Sequence, residues 1–103
     1  MFLVDCQSHV FPREYAELLL QNTTHVRTTR RGEQYLIAYG DMQIFTLDPD
    51  SYEVGRKLRD MDADAVDVAV LSVNIPGPEL LDPELALRAA RLCNDHLGEL
   101  CAR

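Results

Sequence analysis

Val4 to Pro12 reads VDCQSHVFP. The run starts apolar, turns polar and closes on a proline. Phe2 to Cys6 (FLVDC) has the apolar, β-prone character of a short buried strand. Pro12 suits the first turn of a helix. If the strand continues to His9, side-chain alternation places Asp5, Gln7 and His9 on one face and Cys6 and Ser8 on the other. Residues at i and i+2 at a strand end can ligate one metal ion. A Cys6–His9 nucleophile–base pair, three apart, would face opposite ways, and this disfavours a cysteine hydrolase.

Outward from this stretch the chain reads as alternating elements. Glu14 to Gln21 predicts a helix, with Tyr15, Leu18 and Leu19 at helical spacing. Asn22 to Arg31 is polar and threonine-rich, and Arg31-Gly32-Glu33 predicts a turn. Gln34 to Ala38 and Met42 to Leu47 read as strands joined at Tyr39-Gly40-Asp41, a small antiparallel insertion over about residues 26–47. A helix follows Asp48-Pro49-Asp50, with Asp50 and Glu53 as a capping box and Val54, Leu58 and Met61 as its apolar stripe. Val66 to Ser72 reads as a second buried strand, followed by the loop Asn74-Ile75-Pro76-Gly77-Pro78. The last helix has Asp82 as N-cap and Pro83 at its first position. Ala86, Ala89, Ala90, Cys93, Leu97, Leu100 and Cys101 share one of its faces, and Glu84, Arg88, Arg91, Asp95 and Glu99 the other. Two buried strands separated by a helix predict parallel pairing through a crossover.

Composition narrows the classes of function. The 103 residues allow one domain, and 47% hydrophobic with 26% charged residues suits a globular segment. A net charge of −7 argues against nucleic acid or an anionic membrane surface as partner. Arg27, Arg30 and Arg31 form a local basic cluster. No apolar run reaches the ~20 residues of a membrane span, and MFLVD lacks the basic start of a signal peptide. A cytoplasmic location is therefore expected. Three cysteines do not suggest a disulfide framework. Cys93 and Cys101, eight apart on one helix, cannot pair within it.

VDCQSHVFP resembles the metal-binding signature Asp-x-His-x-His-x-x-Pro, with Gln7 in place of the first histidine. Arg59 to Ser72 (RDMDADAVDVAVLS) resembles a second-strand segment in which a helix ending in Met-Asp leads into Val-Asp-x-x-Val-Leu-Ser. Asn74-Ile75-Pro76-Gly77 and Asp82 to Leu100, with Asn94-Asp95, continue the likeness. Together these stretches resemble the amidohydrolase superfamily, in particular the group of aminocarboxymuconate-semialdehyde and resorcylate-type decarboxylases. The resemblance covers nearly the whole chain. It implies an α/β fold: the first two strand–helix units of a TIM (β/α)8 barrel, with a small antiparallel β insertion. The later ligands and the catalytic aspartate of that group would lie beyond Arg103.

The resemblance implies a divalent metal, zinc first and manganese second, that polarises substrate or activates water. His9 takes the ligand role of the second histidine, and Gln7 matches the first by position only. An amide oxygen is a poor substitute for imidazole on zinc, so Gln7 implies that the metal could be absent. Asn74, after the second strand, is a substrate-binding candidate. No catalytic residue is assigned. Asp5 could orient a ligand or cap the strand end. For the arginine cluster, a solvated hairpin face competes with carboxylate recognition. His25 has no partner in sequence, and His96 falls in the apolar arc of the last helix, as a packed histidine would.

The function implied is an N-terminal fragment of a metal-dependent enzyme. It would hydrolyse or nonoxidatively decarboxylate a small carboxylated or aromatic substrate in the full-length parent, and the fragment would be inactive alone. The alternative is a non-catalytic homologue that acts by association, as a homo-oligomer or with another chain. Two parallel strands alone would leave edges and apolar faces uncovered. The amidohydrolase group often has glycine before the second strand, where a helix ends in a left-handed turn. Ala65 stands there, at a cost of about 1 kcal/mol if that turn is kept.

Overall fold

The structure is a computed structural model and describes residues 1–40, 43–74 and 76–102. Asp41 of the expected turn, Met42 of the expected strand and Ile75 of the loop lie outside the described residues. The elements are β1 (Val4–Val10), α1 (Arg13–Leu19), β2 (Val26–Arg31), β3 (Gln34–Tyr39), β4 (Gln43–Leu47), α2 (Pro49–Tyr52), α3 (Val54–Ala63), β5 (Val68–Val73), a 3₁₀ turn (Pro78–Leu80) and α4 (Pro83–Cys101). β1 and β5 form a two-stranded parallel sheet, while β2-β3-β4 form a separate antiparallel one.

This order corrects the expected fold. It is not the strand–helix alternation of (β/α)8 barrel units, because three consecutive antiparallel strands form a sheet of their own between the two parallel strands. That sheet is also no appendage, for the main core sits on it. Val26, Tyr35, Ile37 and Leu47 are buried against Tyr15, Ala16, Leu18 and Leu19 of α1 and Leu85, Ala89 and Cys93 of α4. The parallel pair, expected to be buried, is largely exposed. On β5 exposed residues alternate with half-buried ones, and Val70 is 54% and Val4 45% exposed. Nor does the apolar stripe of α3 find cover, since no described residue of α3 is buried. Parallel strands gain stability when helices cover both faces, and here the helices spend their apolar sides on the antiparallel sheet. The radius of gyration of 14.5 Å exceeds the ~13 Å of a compact chain of this length.

Local chemistry explains the elements. Along β3, Tyr35 and Ile37 are buried, and Gly32 (φ +62°) and Gly40 (φ +52°) supply the left-handed positions flanking that strand. β2 was not expected from its polar sequence. All six of its residues pair with β3, from Val26 opposite Tyr39 to Arg31 opposite Gln34. Pro12 is the N-cap of α1, and its carbonyl accepts from the Tyr15 and Ala16 amides at 3.0 and 3.1 Å. The helix after Leu47 starts earlier than an Asp50 cap implies: Asp48 is the N-cap, with Pro49 at the first position, where its fixed φ suits a helix. Glu53 then separates α2 from α3, and the Asp50 side chain of the expected capping box lies outside the described residues.

α3 ends as a Schellman motif. The Val66 amide reaches the Met61 carbonyl at 2.9 Å and the Ala65 amide reaches Asp62 at 3.3 Å, with Ala65 at φ 56°. The left-handed turn is therefore kept without its glycine. Ala65→Gly is expected to stabilise the chain by about 1 kcal/mol, because the relieved Cβ strain exceeds the added unfolded-state entropy. Urea denaturation measures this, and an unchanged or lower midpoint would contradict it.

α4 begins as expected at Asp82 and Pro83. The Asp82 carboxylate does not cap its own helix. It accepts from the Thr24 hydroxyl at 2.6 Å and from the Thr23 amide and hydroxyl at 3.2 and 3.1 Å. These bonds, the Thr24 hydroxyl first, hold its pKa below the ordinary 3.8 against the opposing effect of desolvation. A depressed carboxylate stabilises the fold above its unfolded-state pKa, and that contribution disappears as pH falls through the folded-state value. Asp82→Asn is expected to lower the denaturation midpoint at neutral pH and to close the gap to wild type as pH falls through the depressed folded-state value of Asp82. A gap independent of pH would refute this. On the same helix the buried residues are Leu85, Ala89 and Cys93, and Cys101 is exposed. All three cysteines are free, and burial pushes the Cys93 thiol up to about 11. Among the described residues no helix is long and apolar enough to cross a membrane.

Candidate functional site

β1 and β5 run parallel, so their carboxyl ends lie together, the place where open α/β sheets bind ligands. The pairing is irregular on the way there. Asp5 opposes Ala69 and Ser8 opposes Leu71, so three steps on β1 match two on β5. This bulge interrupts the alternation that would align Asp5, Gln7 and His9 in one row. Asp5 supports the bulge by accepting from the Gln7 amide at 3.2 Å.

A cavity of 380 Å³ opens beside these strand ends, within the ~300–1,000 Å³ of small-molecule sites. Ser8, His9, Phe11 and Asn74 line it from the parallel sheet and its loops, Phe45 from β4, Tyr52 from α2, Lys57 and Asp60 from α3, and His96 from α4. It carries both charges. Asp60 pairs with Arg56 at 3.1 Å, while Asp5, Glu53 and Asp64 add further carboxylates to the lining. Phe11, Phe45 and Tyr52 give it aromatic walls, which suit the flat face of an aromatic ligand.

The structure brings the sequence-predicted residues together only in part. His9 lines the cavity and its Nδ1 meets the Ser72 hydroxyl at 3.0 Å, which orients the ring and leaves Nε2 for another partner. Asn74 lines the cavity, with its backbone amide bonded to the Val10 carbonyl at 3.2 Å. Gln7 is exposed and is not among the lining residues. Arg27, Arg30 and Arg31 are exposed on β2, where Arg30 pairs with Glu17 at 3.0 Å, away from the cavity. His25 is exposed, and His96 is half-buried at the cavity wall.

Sequence reasoning missed Lys57, whose amine contacts the Ser8 hydroxyl. The two lie 49 residues apart, and no local pattern announces such a contact. Its one signal was a lysine beside the apolar stripe of α3, which could have been read as pointing inward.

Among the described residues no group of three or more His, Cys, Asp or Glu could hold a metal ion. His9 offers one imidazole, and Gln7 lies outside the cavity lining. Among the described residues, His9 and Gln7 by themselves do not supply the three protein ligands of a catalytic zinc site. No family model and no curated protein matches this chain.

Proposed function

We propose that the chain forms one wall of a small-molecule site in a cytoplasmic hydrolase or carboxy-lyase, and that alone it does not carry out the metal-dependent reaction of that parent. The observation carrying this reading is the aromatic-walled cavity that runs along β1 and β5, with His9 and Asn74 lining it at the carboxyl ends of those strands. The resemblance of VDCQSHVFP and of Arg59 to Ser72 to amidohydrolase-related sequences supports the same reaction classes. The substrate is a small aromatic or carboxylated molecule, in keeping with Phe11, Phe45 and Tyr52 in the lining. The net charge of −7 turns nucleic acid and anionic membranes away. A catalytic metal requires ligands from outside the described residues.

Two titrations test this. Benzoate is expected to shift the amide resonances of Phe11, Phe45 and Asn74 in the NMR spectrum, and unmoved resonances at saturating benzoate would reject the site. Zinc titrated by calorimetry is expected to show no stoichiometric binding. A single tight zinc site lost in His9→Ala would reject the claim that ligands from elsewhere are required.

A second reading, association through the parallel pair, is favoured by the exposure of Val4 and Val70 on an open two-stranded sheet, and of Phe2 (71%) just before it. A homo-oligomer formed this way would dissociate in Val70→Lys, measured by sedimentation equilibrium. A wild-type chain that stays monomeric at high concentration would exclude it.

A further inference from the structure

The cavity holds a pair of groups that the reading above does not use. Ser8 is 5% exposed and sits where the β1 bulge ends. Its hydroxyl is met by the Lys57 amine from α3, and both side chains line the cavity. Bulges near sites re-aim a strand residue, and this one sets Ser8 opposite Leu71 after the shift. Apolar Val10, Val54, Met61 and Leu100 share the lining. A hydroxyl in contact with an amine inside a partly apolar cavity is the arrangement of a nucleophile and its general base, and serine–lysine pairs perform acyl transfer on unrelated folds.

We propose that Ser8 and Lys57 form a metal-independent acyl-transfer pair for small esters. With Lys57 neutral, the Ser8 Oγ attacks the acyl carbon while its proton passes to Lys57 Nζ. The bond to the alcohol oxygen breaks, and the leaving alkoxide takes that proton, so the acyl group rests on Ser8. Water then attacks the acyl carbon, gives its proton to Lys57, and the Ser8 oxygen recovers a proton as the carboxylic acid leaves. Arg56 and Asp60 from α3, Asp64 at its C-cap, Glu53 before it, Asp5 and His9 from β1, Tyr52 from α2 and His96 from α4 are the charged and titratable groups that share this lining with Lys57.

The experiment is acylation of the full chain by p-nitrophenyl acetate, followed by nitrophenolate release and by peptide mass spectrometry. The expected result is an acetyl group on Ser8 and release of nitrophenolate above the uncatalysed rate. Ser8→Ala loses both. Lys57→Arg keeps a cationic donor to Ser8 but cannot serve as base, and it is expected to react at least ~100-fold more slowly while retaining the wild-type circular dichroism spectrum. Acetyl found on Lys57 in place of Ser8, no acetyl in wild type, or an undiminished rate in folded Lys57→Arg would each overturn the assignment. Lys57 would then be a structural tie holding α3 to β1.

Discussion

Tyr15→Ala is expected to cost about 3–5 kcal/mol, the usual loss when a buried aromatic side chain is removed from a core. Tyr15 is fully buried at the centre of the core between α1, the antiparallel sheet and α4. Its ring stacks on Phe11 at 5.1 Å. Its hydroxyl donates to the Pro76 carbonyl at 2.7 Å, across 61 residues of sequence. One side chain therefore holds helix, core and the loop after β5 together. Burial raises its phenol pKa above the ordinary value, which favours the protonated, hydrogen-bond-donating form. Domains of this size are stable by about 5–15 kcal/mol, so the variant populates unfolded chain at ambient temperature. Tyr15→Phe separates the two roles: it keeps the packing, leaves the Pro76 carbonyl without its donor, and is expected to cost about 1–3 kcal/mol. Urea denaturation followed by circular dichroism gives both values. A loss below about 1 kcal/mol in Tyr15→Ala would show that the core does not centre on this ring.

Asn22→Ala is expected to cost about 2–4 kcal/mol, because it deprives two backbone groups of partners at once. Asn22 is 5% exposed. Its Nδ2 donates to the Val26 carbonyl at 2.9 Å, and its Oδ1 accepts from the Asp82 amide at 2.8 Å. The first bond turns the chain into β2, and the second fixes the start of α4. Thr23 and Thr24 bind the Asp82 carboxylate in the same place, so the asparagine anchors a cluster that joins residues about 60 apart. Asn22→Asp keeps one acceptor but loses the donor to Val26, and it is expected to fall between wild type and alanine. An alanine variant as stable as wild type would mean that water takes over both bonds.

Much of the fold was legible where one local rule dominates. Asp82-Pro83 and a helical apolar period marked α4, and the structure starts that helix at those residues. Gly32 and Gly40 marked the turns on either side of β3. The left-handed helix end at Ala65, with φ 56°, was implied only by the resemblance and by no local rule, since alanine does not favour that conformation. Parallel pairing of the two strands that flank the middle of the chain also followed from their order. β2 was not legible, because VRTTRR lacks an apolar alternation; hydrogen bonds to β3 make it a strand. The exposure of the parallel pair was misjudged for its central residues, since apolar strands read as buried whether or not anything covers them.

The amino-acid sequence by itself determined where most helices, strands and turns form, because capping, periodicity and backbone preference act over a few neighbouring residues. It also placed His9 and Asn74 at strand ends, where both line the cavity. Only the tertiary structure decided which sheet carries the core. Tyr15, Ile37 and Ala89 could each have packed elsewhere, and their joint burial depends on contacts between distant segments. The bulge that displaces Gln7 from the row of His9 and the meeting of Ser8 with Lys57 belong to the same category. Register and long-range contact are properties of two segments at once, and no pattern within either one specifies them.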